Sequence, residues 1–150
     1  MGNNTRFVTS IKSRNGKNTT AVILSAGVGY RMKSYGPKCL LKTDLGKSIL
    51  EHQIETVSLC LPKSDIIVVL GFECDKAIKV LDKRSRVVEN QLYEETNTAE
   101  SLRLALNNGV RDSVLIMHGD LKFFKKSFFS VILENHLLLL TPRSSSKKAK

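Results

Sequence analysis

The sequence predicts an α/β fold: a doubly wound, mostly parallel sheet with helices on both faces, incomplete at its C-terminal side. Three observations carry this. The run Ala21-Val22-Ile23-Leu24 and, after their first residues, the runs Asp65 to Leu70 and Ser113 to Met117 are short and apolar without a break, as strands covered on both sides are. Stretches between them place apolar residues on one helical face. Strand and helix then alternate along the whole of residues 20 to 140, the order of a crossover-connected sheet.

The elements follow in turn. Thr20 to Leu24 is the first strand. Ser48 to Leu61 reads as a helix, with Ile49, Leu50, Ile54, Val57 and Leu61 on one face and Pro62 as its stop. Asp65 to Leu70 is β-branched and ends at Gly71, so it is a second, buried strand. Glu73 to Leu81 is a short helix and Arg86 to Glu89 a third strand. Asn97 stands at an N-cap position, with Glu100 three residues on to close a capping box before a helix from Thr98 to Asn107, and Gly109 stops it. Ser113 to Met117 is the fourth strand, Phe124 to Glu134 a helix, and Leu137 to Thr141 a fifth strand running into Pro142.

At 150 residues the chain suits one domain. Its formal charge of +10 invites a nucleic-acid partner, so the location of the charge decides. Arg6, Lys12, Arg14 and Lys17 sit in residues 1–19 without an acid, and Arg143, Lys147, Lys148 and Lys150 crowd the last residues. The body between is nearly neutral, and nucleic acid is not an expected partner. Residues 1–19 and 142–150 are polar and basic, so they read as disordered tails flanking a domain at 20–141. Cys39, Cys60 and Cys74 show no CxxC spacing and no secretory segment precedes them, which points to a reducing, cytoplasmic setting. The apolar run Leu137 to Leu140 is far too short for membrane insertion. Oligomeric state is not legible.

Chemistry concentrates where the first strand ends. Ser25-Ala26-Gly27-Val28-Gly29-Tyr30-Arg31 is a glycine loop carrying a cation, and Pro37-Lys38 follows seven residues after Arg31. Such a loop brings backbone N–H groups close to a phosphate. Two familiar phosphate templates fail here. A dinucleotide fingerprint needs glycine at position 32, where Met32 stands, and a Walker A reading of Gly46-Lys47-Ser48 needs it at 41, where Leu41 stands.

Three blocks remain, in order. The first is Ala-Gly-x-Gly-x-Arg-Met at 26–32, then Pro-Lys-x-Leu-Leu at 37–41, then Gly-Lys-x-Ile-Leu-Glu-His-Gln-Ile at 46–54. The second is Tyr93-Glu94-Glu95-Thr96-Asn97-Thr98-Ala99-Glu100-Ser101-Leu102, and the third Val114-Leu115-Ile116-Met117-His118-Gly119-Asp120. In these blocks the chain resembles the sugar-nucleotide-type nucleotidyltransferases, the GT-A-like NTP transferases, and most of all their cytidylyltransferase-like branch, which includes the phosphocholine cytidylyltransferases.

The resemblance implies a three-layer Rossmann-like sheet of the nucleotide-diphospho-sugar transferase type. It implies transfer of a nucleoside monophosphate, CMP favoured, from an NTP to a phosphorylated sugar or alcohol with release of pyrophosphate. The catalytic cations are then Arg31, on the leaving pyrophosphate, and Lys38, near the α-phosphate or the incoming phosphate. Ala26, Gly27, Val28 and Gly29 bind the triphosphate through their backbone, Asn97 and Ser101 the base or ribose, and Asp120 holds a Mg²⁺. Members of the family continue past the Gly-Asp strand with strands that shape the acceptor pocket and with a second metal-binding acid, so the chain is expected to be truncated on that side. A catalytically silent nucleotide-binding remnant or regulatory module is the alternative.

Plainer readings stand beside these. The glycine pair alone would be a turn, Asp120 a turn acid, Asn97 only a helix cap. His52 and His118 read as structural, and Cys39 as a buried thiol.

Overall fold

A computed structural model of the chain describes residues 16–29, 36–128 and 139–140. Strand β1 (Thr19–Ser25) is followed by a 3-10 turn (Lys38–Leu40), helix α1 (Ile49–Cys60), β2 (Asp65–Leu70), α2 (Cys74–Ile78), β3 (Ser85–Glu89), α3 (Thr98–Asn107), β4 (Ser113–His118) and β5 (Leu139–Leu140). The sheet order is β3-β2-β1-β4-β5. The first four strands in that order pair in parallel, and β5 pairs antiparallel with β4 through Val114 and Leu115. The chain steps outward from β1 to β3, then crosses back over β1 to β4. A topological switch point therefore falls between β1 and β4.

The continuous apolar runs are explained by burial on both faces. Ala21, Ile23, Ile66, Val68, Leu70, Leu115 and Met117 face α1 residues Leu50, Ile54 and Val57, with Ala77 and Phe128. The alternate residues Val22, Leu24, Ile67, Val69 and Val114 face Ala105 of α3, with Leu102 and Leu106 at its edge. Each fully buried aliphatic side chain of this kind contributes about 1.5 to 3 kcal/mol. The two faces of one sheet are thus covered by helices, in three layers.

Several boundaries differ from expectation for identifiable reasons. Gly16 to Asn18 do not belong to a tail: Gly16 is buried against Leu61 and Ser64, and its carbonyl accepts from Thr19 N, turning the chain into β1. The rest of that tail, and residues 142–150, lie outside the described residues. The helix expected from Glu73 to Leu81 is confined to α2: Glu73 takes a left-handed conformation (φ 51°) at its start, and past Ile78 the chain tightens into turns, with Val80 N donating to Ala77 O and Leu81 N to Ile78 O. The capping box expected at Asn97 is open. Asn97 caps α3 by accepting from Ala99 N and Glu100 N at 3.0 and 3.2 Å, but Glu100 turns away to a bidentate pair with Arg103. A closed box stands instead at α1, where Ser48 N and Ser48 Oγ donate to Glu51 Oε2 and Glu51 N donates to Ser48 Oγ. That bonding holds the Glu51 carboxyl below its ordinary value. Of the helix expected at 124–134, residues 125–128 are described and helical. The three cysteines are free.

Candidate active site

Beyond Ser25 the chain leaves the sheet at the carboxyl end of β1, between the loops that follow β2 and β4. Both loops open with a glycine, and the packing shows why. A Cβ at Gly71 would stand 2.7 Å from the Ala26 carbonyl oxygen, and one at Gly119 would stand 1.8 Å from Ser25 Oγ. The loops also bond to this exit, Phe72 N donating to Ala26 O at 3.3 Å and Gly119 N to Leu24 O at 2.8 Å. Gly29 has φ +56°, a conformation that favours glycine, and the stem of Lys38 crosses it with Cε 2.9 Å from where a Cβ would lie.

These segments enclose a cavity of about 400 Å³. Its walls include Ala26, Gly27, Val28, Gly29, Lys38, Asn97, Ser101 and Asp120, so every described residue of the expected site borders one space. Arg31, the cation expected on the pyrophosphate, lies outside the described residues. Lys38 and Asp120 make no ion pair with any described residue, and Asp120 is exposed. His118, expected to be structural, is exposed and borders the cavity. Cys39 also borders it, but burial pushes its thiol up to about 11, so it is protonated at neutral pH and does not serve as a nucleophile.

Several residues that hold the site together escaped sequence reasoning. Gln53, fully buried in α1, donates its amide to the carbonyls of His118 and Leu121, each at 2.7 Å. His52 Nε2 lies 2.7 Å from the Phe123 carbonyl, so that nitrogen carries the proton. Adjacent residues of α1 thus grip the turn that bears Asp120. On the other wall, buried Asn90 donates to Thr96 Oγ1 at 2.9 Å and to Ser101 Oγ at 3.1 Å, and accepts from Leu92 N at 3.2 Å. Its signal in the sequence was an amide placed directly after a strand, upstream of two hydroxyl residues. Ser25 Oγ is buried at the cavity wall beside the Cys39 thiol. No three His, Cys, Asp or Glu side chains gather as a metal-ligand set among the described residues.

A polar crevice outside the carboxyl ends of the strands, at the switch point, is the ligand site of the doubly wound α/β class. The chain belongs to the MobA-like NTP transferase domain family, whose model matches residues 21–143. It is 31% identical over 121 residues to the bifunctional protein GlmU of Lactococcus lactis subsp. cremoris, an alignment covering 79% of this chain and 26% of that protein. Among solved structures it is similar to the CTP:phosphocholine cytidylyltransferase of Streptococcus pneumoniae, with 26% identity, a TM-score of 0.55, and coverage of 70% of this chain and 51% of that one. It is also similar to the 4-diphosphocytidyl-2C-methyl-D-erythritol synthase of Anaerococcus prevotii, with 26% identity, a TM-score of 0.57, and coverage of 80% and 51%. The chain spans about a quarter of the length of that curated relative and about half of these solved ones. No helix among the described residues is long and apolar enough to cross a membrane.

Proposed function

We propose that this chain binds an NTP in the cavity at the β1–β4 switch point and transfers its nucleoside monophosphate, CMP by preference, to a phosphorylated sugar or alcohol, releasing pyrophosphate. The observation that carries the reading is the convergence of a glycine loop, a lysine, a carboxylate and a helix start on one cavity. The names of both solved relatives concern cytidyl transfer, which favours CTP.

The chemistry is attack of an acceptor phosphate oxygen on the α-phosphorus, with the bond to pyrophosphate breaking in line. There is little covalent work for side chains, and the barrier falls through positioning and charge neutralisation. Backbone N–H groups of residues 26–29 hold the triphosphate, and Lys38, pinned across Gly29, places its ammonium beside it. Arg31 supplies a planar fork for the departing pyrophosphate. Asn97 and Ser101 orient the nucleoside. Asp120, an exposed carboxylate without a cationic partner among the described residues, fits a Mg²⁺ that keeps most of its waters. When bound, a Mg²⁺ held by Asp120 would offset the negative charge of the phosphates. The three free thiols favour a cytoplasmic setting.

Pyrophosphate release, measured with each of four NTPs against a panel of phosphorylated sugars and alcohols, tests the reading. Turnover with CTP and one acceptor class is expected, and its loss in Arg31→Ala. Binding of NTP without turnover on any acceptor would favour the second reading, a nucleotide-binding module that does not catalyse.

A further inference from the structure

We propose that Asn90 is a positioning residue that makes the α3 wall of the cavity a surface of hydrogen-bond donors, selecting a nucleoside whose base presents adjacent acceptors, as cytosine O2 and N3 do. The inference rests on the nucleotide-binding reading above. It begins with the orientation of one amide. Leu92 N donates to Asn90 Oδ1, and Thr96 Oγ1, whose own proton goes to the Leu92 carbonyl at 2.7 Å, accepts from Asn90 Nδ2. Flipping the amide would set its NH2 against the Leu92 N–H and its oxygen against a hydroxyl with no proton left to give. The amide is therefore fixed, and its second N–H must point to Ser101 Oγ.

Ser101 is thus an acceptor on its buried side. Its hydroxyl proton has no acceptor among the described residues, and the residue borders the cavity. Asn97, four residues earlier, arrives at the same polarity by another route. Its Oδ1 takes Ala99 N and Glu100 N at the helix cap, so the capacity left to this cavity-bordering side chain is that of a donor, its Nδ2. Two residues that border the cavity thus keep neutral donors that no described group takes up. A base with neighbouring lone pairs satisfies both, whereas uracil interposes its N3–H and would leave a donor facing a donor.

Calorimetric titration with Mg-CTP, Mg-UTP and inorganic tripolyphosphate, on wild type, Ser101→Ala, Asn90→Ala and the double variant, tests this. Wild type should prefer CTP to UTP. Each single variant should weaken CTP about three- to tenfold. The double variant should be no weaker than Ser101→Ala alone, because Asn90 acts through that hydroxyl. Tripolyphosphate, which lacks a base, should bind all four alike. Asn90→Asp, of nearly the same shape, serves if Asn90→Ala does not fold. Its carboxylate takes the Ser101 proton, turns Ser101 into an acceptor toward the cavity, and should narrow the preference for CTP over UTP. Additive losses in the double variant, an equal loss of tripolyphosphate, or wild-type UTP binding as tight as CTP would each overturn the inference while leaving nucleotide binding intact. A wild type that binds neither CTP nor tripolyphosphate would overturn the nucleotide reading itself, and the inference with it.

Discussion

Gly119 lies against Ser25 so closely that a methyl group at position 119 would stand 1.8 Å from the Ser25 hydroxyl oxygen. The carboxyl ends of β1 and β4 are locked side by side by that contact and by the bond from Gly119 N to Leu24 O. Gly119→Ala must push the two apart and move Asp120 with them. A cost of about 1 to 3 kcal/mol is expected in urea unfolding. Ser25→Gly in the same chain should recover part of it, since it removes the two Ser25 atoms the new methyl meets but leaves the Leu24 carbonyl oxygen 2.9 Å from it.

Gln53 links α1 to the turn bearing Asp120 through two carbonyls. Gln53→Leu, similar in size, would leave both carbonyls without that donor in a part-buried setting. The expected destabilisation is about 2 to 4 kcal/mol in denaturant unfolding. A loss under half a kcal/mol would show that the grip is dispensable.

Lys38 is the described cation of the site, and its stem packs across Gly29. Lys38→Met keeps that packing and removes the charge. NTP affinity should fall by about 1.5 to 3 kcal/mol with little change in the unfolding midpoint, as titration and thermal melting of the same sample would show.

The capping box at Ser48 and Glu51 predicts a pH dependence of stability. Hydrogen bonds from Ser48 lower the folded-state pKa of Glu51 from its ordinary value of 4.5. Its contribution is therefore fully present above that value and is lost as pH falls through the lowered one. Glu51→Gln should flatten the stability profile on the acid side of pH 4.5 and leave the profile above it parallel to wild type, in urea titrations between pH 3 and 7.

Cys39 is buried, with its thiol pushed up to about 11, whereas Cys60 and Cys74 are partly exposed. Alkylation of the native chain at pH 7.5 followed by peptide mapping should label Cys60 and Cys74 well before Cys39. Rapid labelling of Cys39 would mean that the cavity floor opens.

The elements that came through at their expected bounds are those with strong local signals. Asp65–Leu70 and Thr98–Asn107 needed only a β-branched run ending at glycine and an asparagine cap before a helical face. The capping box was misplaced because Ser48 and Asn97 offer the same local pattern. Glu51 has only weak competition from Lys42 at 3.6 Å, whereas Glu100 finds Arg103 one turn on at 2.7 Å. The cavity residues could be chosen from their blocks, but their supports could not. Gln53 reads as one more polar residue in a helix, and its partners stand more than sixty residues away.

From the sequence alone came the strand and helix order, the near-neutral body, the glycine loop and the three family blocks, because each depends on residues close together in the chain. The tertiary structure decided which residues share a space and which way their hydrogen bonds point. Parallel pairing of β1 with both β2 and β4 carries residues 26–29, 90–101 and 118–120 to one end of the sheet. Only there does Asn90 meet Thr96 and Ser101 together, and only that meeting sets the direction of the Ser101 hydroxyl. A hydrogen bond's polarity depends on every partner present at once, and no pattern along the chain records it.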